Sequence, residues 1–281
     1  MKGFQRKTRK YKKGIIHSVL SAIVLAVMVA RFVRADYYAV FLCVLTLVLF
    51  YIPVIVDRTF NVSLPKELEA IILLFVFAAE ILGEIGSFYT HIPWWDTMLH
   101  TVNGFLMAAI GFAMIDILNN SPRFHFNLSP VFVAFVAFCF SMTVGVAWEF
   151  FEFGMDCFTA GDMQKDRIID TVSSVLLNPD GVNAPVILND VTSTVIHYGE
   201  NRTYTVNGYL DIGIADTMKD LIVNCIGAVV FSAIGYFYII GRNKGIFASK
   251  FIPRMKTAEE IEHQKTKQLQ TNETSQTQKK E

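Results

Sequence analysis

The chain has 281 residues, 53% of them hydrophobic and 18% charged, with 25 Lys plus Arg balancing 25 Asp plus Glu. A mean hydropathy of +0.40 is too apolar for a soluble globular domain and fits a polytopic membrane protein. Nucleic acid is a poor partner for its cations: seven lie in the first thirteen residues, with no acid among them, directly before an apolar run. That pattern marks a cytoplasmic flank.

Six segments have the length to cross a hydrocarbon layer of about 30 Å: 15–33, 37–56, 68–88, 97–118, 131–154 and 214–240. The expected fold is therefore all-α, a six-helix transmembrane bundle. No small-residue cleavage site follows the first run, so it reads as an uncleaved span. Pro65 suits the start of the third helix. With the amino terminus inside, the cytoplasmic flanks carry fifteen Lys and Arg, while the short outer loops carry two, Arg31 and Arg34. That asymmetry predicts a multi-pass protein of the plasma membrane with both termini cytoplasmic. Residues 1–14 form a basic tail, 15–240 the membrane domain, and 241–281 a cytoplasmic tail. From about Thr257 the tail is Lys, Gln, Thr and Glu, the composition of disorder.

The long connection, about 155–213, falls outside as a small acidic subdomain. In it TSTVIHYGENRTYTV alternates apolar and polar residues around Gly199-Glu200-Asn201, which predicts a β-hairpin. Cys43, Cys139 and Cys225 lie in apolar runs and Cys157 at a helix end, so free thiols are expected rather than disulfides.

The polar residues inside the spans gather at one level. Glu80 and Glu84 lie near the outer end of the third helix. Asp96 and His100 open the fourth, followed by Asn103 and Gly104. Glu149 and Glu152 end the fifth, and Asp216, Asp220 and Asn224 descend the first turns of the sixth. At 100° per residue, Asp216, Asp220, Asn224 and Gly227 fall within an arc of about 80°. Asp116, near an inner helix end, stands apart. An ionised Asp at the bilayer centre costs about 2.5–3.5 kcal/mol, and less toward the interface. Four or five facing lipid would cost about as much as a domain's whole stability, about 5–15 kcal/mol. They are expected to face inward, reach water, or be neutralised by a proton or cation.

Each residue also has a plainer role. Asp96 and Asp216, each followed by Thr-Met, suit helix N-caps. Glu84 can be wet at the interface, and Glu149 and Glu152 follow Trp148, an interfacial marker. A lone His100 is more often a packed histidine than a ligand. Gly104, Gly111, Gly145 and Gly227 permit close helix contact. The chain has no His-Glu-x-x-His, no Gly-x-Ser-x-Gly and no phosphate-binding glycine loop. Without cysteine pairs, oxygen-rich ligation by Asp96, His100, Glu149 and Asp220 favours magnesium, manganese or calcium as the cofactor. Lys219, with Lys165 and Arg167 from the loop, is a candidate contact for an anionic head group.

WWDTMLHTVNGF (94–105), AWEFFEFGMD (147–156) and DIGIADTMKDLIVNCIGA (211–228) resemble the YjdF-like family of bacterial inner-membrane proteins, a domain of unknown function. More distantly, Asp96/His100, Glu149/Glu152 and Asp220/Asn224 are similar to the motifs of VanZ-like membrane proteins, a group associated with tolerance of a glycopeptide antibiotic. There the second motif usually ends in Gln, where this chain has Glu152. The resemblance implies an architecture and a site location more than a reaction. Three function classes follow. The first is an outward-facing pocket between helices three to six that binds a cation, a proton or an envelope-lipid head group. The second is a metal-dependent hydrolase or transferase on such a head group, with His100, Glu149 and Asp220 catalytic. The third is a structural or sensory protein whose polar groups hold helices together. In all three the partner is the lipid bilayer.

Overall fold

A computed structural model describes residues 11–59, 62–119, 127–159, 161–241, 251–252, 254–255 and 262. The expected basic tail before residue 11 and the expected disorder after Thr257 lie almost wholly outside these residues. By its own contacts the chain falls into two compact units, residues 1–142 with 224–281, and residues 143–223.

In the first unit, α1 (Tyr11–Val33) and α2 (Tyr37–Leu49) form a tight helical hairpin. Arg34 and Ala35 make the turn, with Ala35 in the left-handed region at φ 56°, and Asp36 caps α2 by accepting from the Ala39 amide at 3.1 Å. A turn at Phe50 and Tyr51 separates α2 from α3 (Ile52–Thr59), so the expected second span is a helix with a break near its carboxyl-terminal end. The two-residue strand β1 (Val62–Ser63) leads to α4 (Lys66–Val76).

The expected third span, 68–88, takes a different form. Helix α4 runs straight into a π-helical segment, Phe77–Ile85, which carries both Glu80 and Glu84. Its wider turn ends where Gly86 donates to Ile81 O at 2.9 Å. Arg31 donates to Ile85 O at 3.2 Å and pairs with Asp36 at 3.2 Å, so the α1–α2 turn grips the end of this segment. Among the described residues, five helical stretches are long and apolar enough to cross a membrane: Gly14–Val33, Tyr37–Val56, Trp95–Asn119, Pro130–Phe158 and Ile214–Ile240. The Lys66–Ile85 run is not among them, because Glu67, Glu69, Glu80 and Glu84 make it too acidic by composition.

After the short α5 (Phe88–His91) comes α6 (Trp95–Asn119). Helices α7 (Pro130–Thr159) and α8 (Ile214–Ile240) each contribute to both units. Three apolar clusters form the core of the first unit. Leu20, Val24, Cys43, Phe50, Leu73 and Ile81 join α1, α2, α4 and the π segment. Leu64, Leu68 and Leu106 join α4 to α6. Ala108, Ala109, Phe112, Val133, Ala137, Ala228 and Phe231 join α6, α7 and α8. The helices touch where glycine removes the obstacle: a Cβ on Gly104 would strike the Asn224 backbone, and one on Gly227 the backbone of Thr101 and Phe105. Val229, Val230 and Phe237 on the opposite face of α8 are exposed, as lipid-facing residues should be.

In the second unit, antiparallel pairs replace helix. Strand β2 (Ile168–Ile169) pairs with β7 (Tyr209–Leu210), and β3 (Val172–Ser174) with β4 (Val186–Leu188) after a 3-10 turn at Val175–Leu177. The expected hairpin forms from β5 (Thr194–Tyr198) and β6 (Arg202–Val206), with Tyr198 opposite Arg202. Gly199 and Asn201, at φ 55° and 59°, supply the left-handed positions that the three-residue connection needs.

Candidate functional site

Helix α8 carries the most informative row. Asp216, Asp220, Asn224, Gly227, Ala228 and Phe231 are buried, while Met218, Ile222 and Ile226 between them are exposed. Asp220 is 1% exposed and Asn224 fully buried. The arc drawn from helix periodicity is thus the inward face of this helix.

In the first unit, Asn224 anchors a buried polar network. It accepts from Asn103 Nδ2 at 3.0 Å, and its own amide lies 3.5 Å from Ser141 O and 3.7 Å from Met142 Sδ. Ser141 donates to Gly104 O at 2.8 Å. These bonds tie α6, α7 and α8 together at one level, and each is worth about 0.6 kcal/mol in a bilayer. One turn above Asn103, the imidazole of His100 lies 3.4 Å from the Asp96 carboxylate, both on one face of α6. His100 is buried and Asp96 half-buried. Glu80 is buried within the π segment and Glu84 half-buried.

In the second unit, Asp216 is a hub rather than a simple cap. It accepts from the Lys165 amide at 3.1 Å, from Arg167 Nη2 at 3.1 Å and from Lys219 Nζ at 3.1 Å. The same Lys219 ammonium lies 3.1 Å from Asp220. Two carboxylates on the buried face of α8 therefore share a cation that the chain itself provides. This refines the expectation for Lys219, which neutralises acids of its own helix. Glu149 is buried on α7, and Glu152 accepts from Trp148 Nε1 at 2.9 Å.

The N-terminal cap of α8 belongs to Asp211, which the sequence reading did not single out. It accepts from the Arg167 amide at 2.8 Å, the Ala215 amide at 2.9 Å and the Gly213 amide at 3.2 Å. Burial pushes this carboxyl up, but the three amides and the Arg167 charge outweigh it and hold the group below the usual carboxylate range. The Asp-x-Gly spacing before an apolar run was the available signal. Asp156, near the end of α7, accepts from the Met163 and Gln164 amides at 2.6 and 2.9 Å. Beside it Asp166 is pushed up by partial burial and then by the charges of Asp162, Asp211 and Asp156.

Three groupings thus stand on direct contacts: Asp96 with His100, Asn103 with Asn224 and Ser141, and Asp216 with Lys219, Asp220 and Arg167. A carboxylate oxygen and an imidazole nitrogen 3.4 Å apart suit either an ion pair or two ligands of one ion, since each metal bond is about 2.0–2.2 Å. The four cysteines are free thiols.

Residues 16–241 match a family model described as a predicted membrane protein, DUF2238. An uncharacterised protein of Thermotoga maritima is 28% identical over 105 residues, which cover 37% of this chain and 52% of that protein. The chain thus spans about half the length of the curated relative it matches. No solved structure matches the chain. These comparisons do not bear out the more distant similarity to VanZ-like proteins.

Proposed function

We propose that this chain, which belongs to the DUF2238 family of predicted membrane proteins, binds a cation in a polar pocket on the outer side of a six-span bundle. Asp96, His100, Glu149 and Asp220 are the ligands, and Glu80, Glu84, Asn103, Glu152, Asp216 and Asn224 line or support the pocket. A divalent ion with oxygen preference, magnesium, manganese or calcium, suits that donor set. The Lys219 ammonium, already beside Asp216 and Asp220, competes with it. A lipid head-group amine would present the same charge.

The observation that carries this reading is the burial of Asp216, Asp220 and Asn224 on one face of an otherwise apolar helix, where ionisable groups are costly and serve a purpose. Contacts within the first unit are in keeping with it: there Asn224 meets Asn103, and Phe231 meets Phe105 and Phe112, so α6 and α8 run parallel.

The test is elemental analysis of the purified protein together with its thermal stability across added magnesium, manganese and calcium. Wild type should retain or be stabilised by one of them. Asp220→Asn and Glu149→Gln should lose that response while accumulating normally. Absence of metal and of any response in wild type would overturn the reading. A catalytic role on an envelope-lipid head group is the second reading, favoured by the Asp96–His100 pair, since a carboxylate orients an imidazole as a general base. It predicts that His100→Ala changes the lipid profile of cells without changing metal retention.

The sixth span is the twenty-residue run Lys66–Ile85, somewhat under the roughly 30 Å that twenty α-helical residues would cover, because its π segment rises less per residue. Its acids lie at its two ends, as snorkelling or pocket-facing groups would. With it counted, both termini lie on the cytoplasmic side of the plasma membrane, in keeping with the distribution of Lys and Arg. Reporter fusions after Thr59, Ser87 and Gly241 test this topology. A Gly241 fusion reporting the external side would sink it.

A further inference from the structure

We infer that residues 175–188 form a small apolar knob that dips into the lipid surface beside the end of α7 and the start of α8, a second and non-spanning attachment to the membrane. The knob lies wholly in the second unit. Strands β3 and β4 pair with Val172 opposite Leu188 and Ser174 opposite Val186, and the chain leaves β3 through the 3-10 turn Val175–Leu177. Val175, Leu176, Leu177, Val182, Ile187 and Leu188 are all exposed, Leu176 to 92%. Single apolar residues on a surface are ordinary, but a cluster gathered on one short excursion marks a contact surface.

The chemistry of the knob favours lipid as the occupant. A segment entering lipid must satisfy its own backbone, and this one largely does. The Leu176 amide donates to Ser174 Oγ at 3.1 Å, and those of Asn178, Gly181 and Ala184 donate to carbonyls of the same loop. The Asn178 side chain closes the loop, donating to Ala184 O at 2.8 Å and accepting from the Asp180 amide at 2.9 Å. Pro179 and Pro185 bring no amide at all. Between residues 171 and 189 the one charge is Asp180, and there is no Arg, Lys or aromatic residue. Protein interfaces draw on Trp, Tyr and Arg, whereas an aliphatic tip with paired amides asks only for removal from water. The knob is also rooted where lipid begins. Arg167, just before β2, bonds to Asp211 and Asp216 at the start of α8. In the same unit Phe158 at the end of α7, and Ile212 and Ile214 at the start of α8, are exposed. From Ile168 to Leu176 the chain can reach at most about 29 Å, ample to return to that apolar band.

The experiment uses the full chain in phosphatidylcholine nanodiscs, with Cys43, Cys139, Cys157 and Cys225 replaced by serine. One nitroxide is attached at Leu176→Cys, at Val182→Cys or, for comparison, at Glu200→Cys in the hairpin turn. Its collisions with oxygen, which concentrates in lipid, are measured against those with a neutral, water-soluble nickel chelate. Burying one leucine shifts such an equilibrium by about 10–100-fold, so the chelate should reach the label at 176 and 182 at least about tenfold less often than at 200. Oxygen should reach all three. Leu176→Ser with Leu177→Ser should restore chelate access at 182 to the level at 200. High salt should change nothing, because the knob carries no cation to be screened. Equal chelate access at 182 and 200 in the chain that keeps both leucines would overturn the inference. Exclusion of oxygen and chelate together at 176 would also overturn it, since that marks a knob covered by protein. Should the double-serine chain fail to run as a monodisperse peak on gel filtration, the comparison of 182 with 200 decides by itself.

Discussion

Replacing Gly104 by alanine tests the packing that positions the candidate site. The added Cβ would stand 2.8 Å from the Asn224 carbonyl carbon and 3.0 Å from its Cα, where non-bonded carbons prefer about 3.5–4.0 Å. Both neighbours are backbone, so α6 and α8 must part by on the order of 1 Å. Overpacking of this kind costs about 1–3 kcal/mol, offset by about 0.5–1 kcal/mol because alanine is the better helix former. A net loss of about 1–2 kcal/mol lowers the Tm of a chain this size by about 2–8 °C. Gly154→Ala is the control: it lies in helix α7 and a Cβ there meets nothing within 4 Å, so only the propensity gain remains and the Tm should rise by about 1–4 °C. The assay is thermal unfolding in detergent, followed by labelling of buried Cys43. If the two alanines shift Tm in the same direction, close α6–α8 contact does not govern the fold.

Asn224→Ala strips the partner from Asn103 and should cost about 1–3 kcal/mol. Asn103→Ala/Asn224→Ala together should cost less than the sum of the two, by a coupling of about 0.6 kcal/mol read from Tm; strict additivity would deny the pair. Lys219→Met leaves Asp216 and Asp220 without their shared cation, so metal retention should rise if the competition is real, and unchanged retention would count against it. For Asp211, whose folded carboxyl titrates below its unfolded value, the stabilising contribution is full above about pH 3.9. It is lost as pH falls through the lower folded value. Protease resistance of the 160–213 segment should therefore decline in that window, and Asp211→Asn should remove the decline. Arg31→Ala releases Ile85 O and should speed hydrogen exchange at the end of the π segment while leaving α8 unchanged; equal effects on both would refute a local grip.

The spans of α1, α6, α7 and α8 were legible because apolar runs of twenty or more residues have few alternatives. So was the hairpin, since Gly199 and Asn201 suit the left-handed positions of its turn. The inward face of α8 followed from period alone, Asp216 to Gly227 falling on one arc. Other features had no such signature. A π turn shifts side chains by a fraction of a helical turn, and nothing in FAAEILGEI distinguishes it from α-helix. Lys219 reads as a solvated or head-group cation until Asp216 and Asp220 are seen three residues before and one after it, on a surface that long side chains can reach around. The pairing of Arg254–Met255 with Val62–Ser63 depends on a partner almost two hundred residues away, which no local window contains.

Arg167 and Asp211 share two hydrogen bonds, one between backbones, Asp211 N to Arg167 O at 3.1 Å, and one from Arg167 N to the Asp211 side-chain carboxylate, and β2 pairs with β7 just beyond them. The excursion between them therefore leaves and returns through one narrow neck. Extending a loop whose ends are already joined costs only about 0.6 kcal/mol per doubling of length, so the segment from 178 to 192 should accept an inserted epitope or a wholesale exchange. Any two family members that keep the neck could trade these caps while sharing one set of helices.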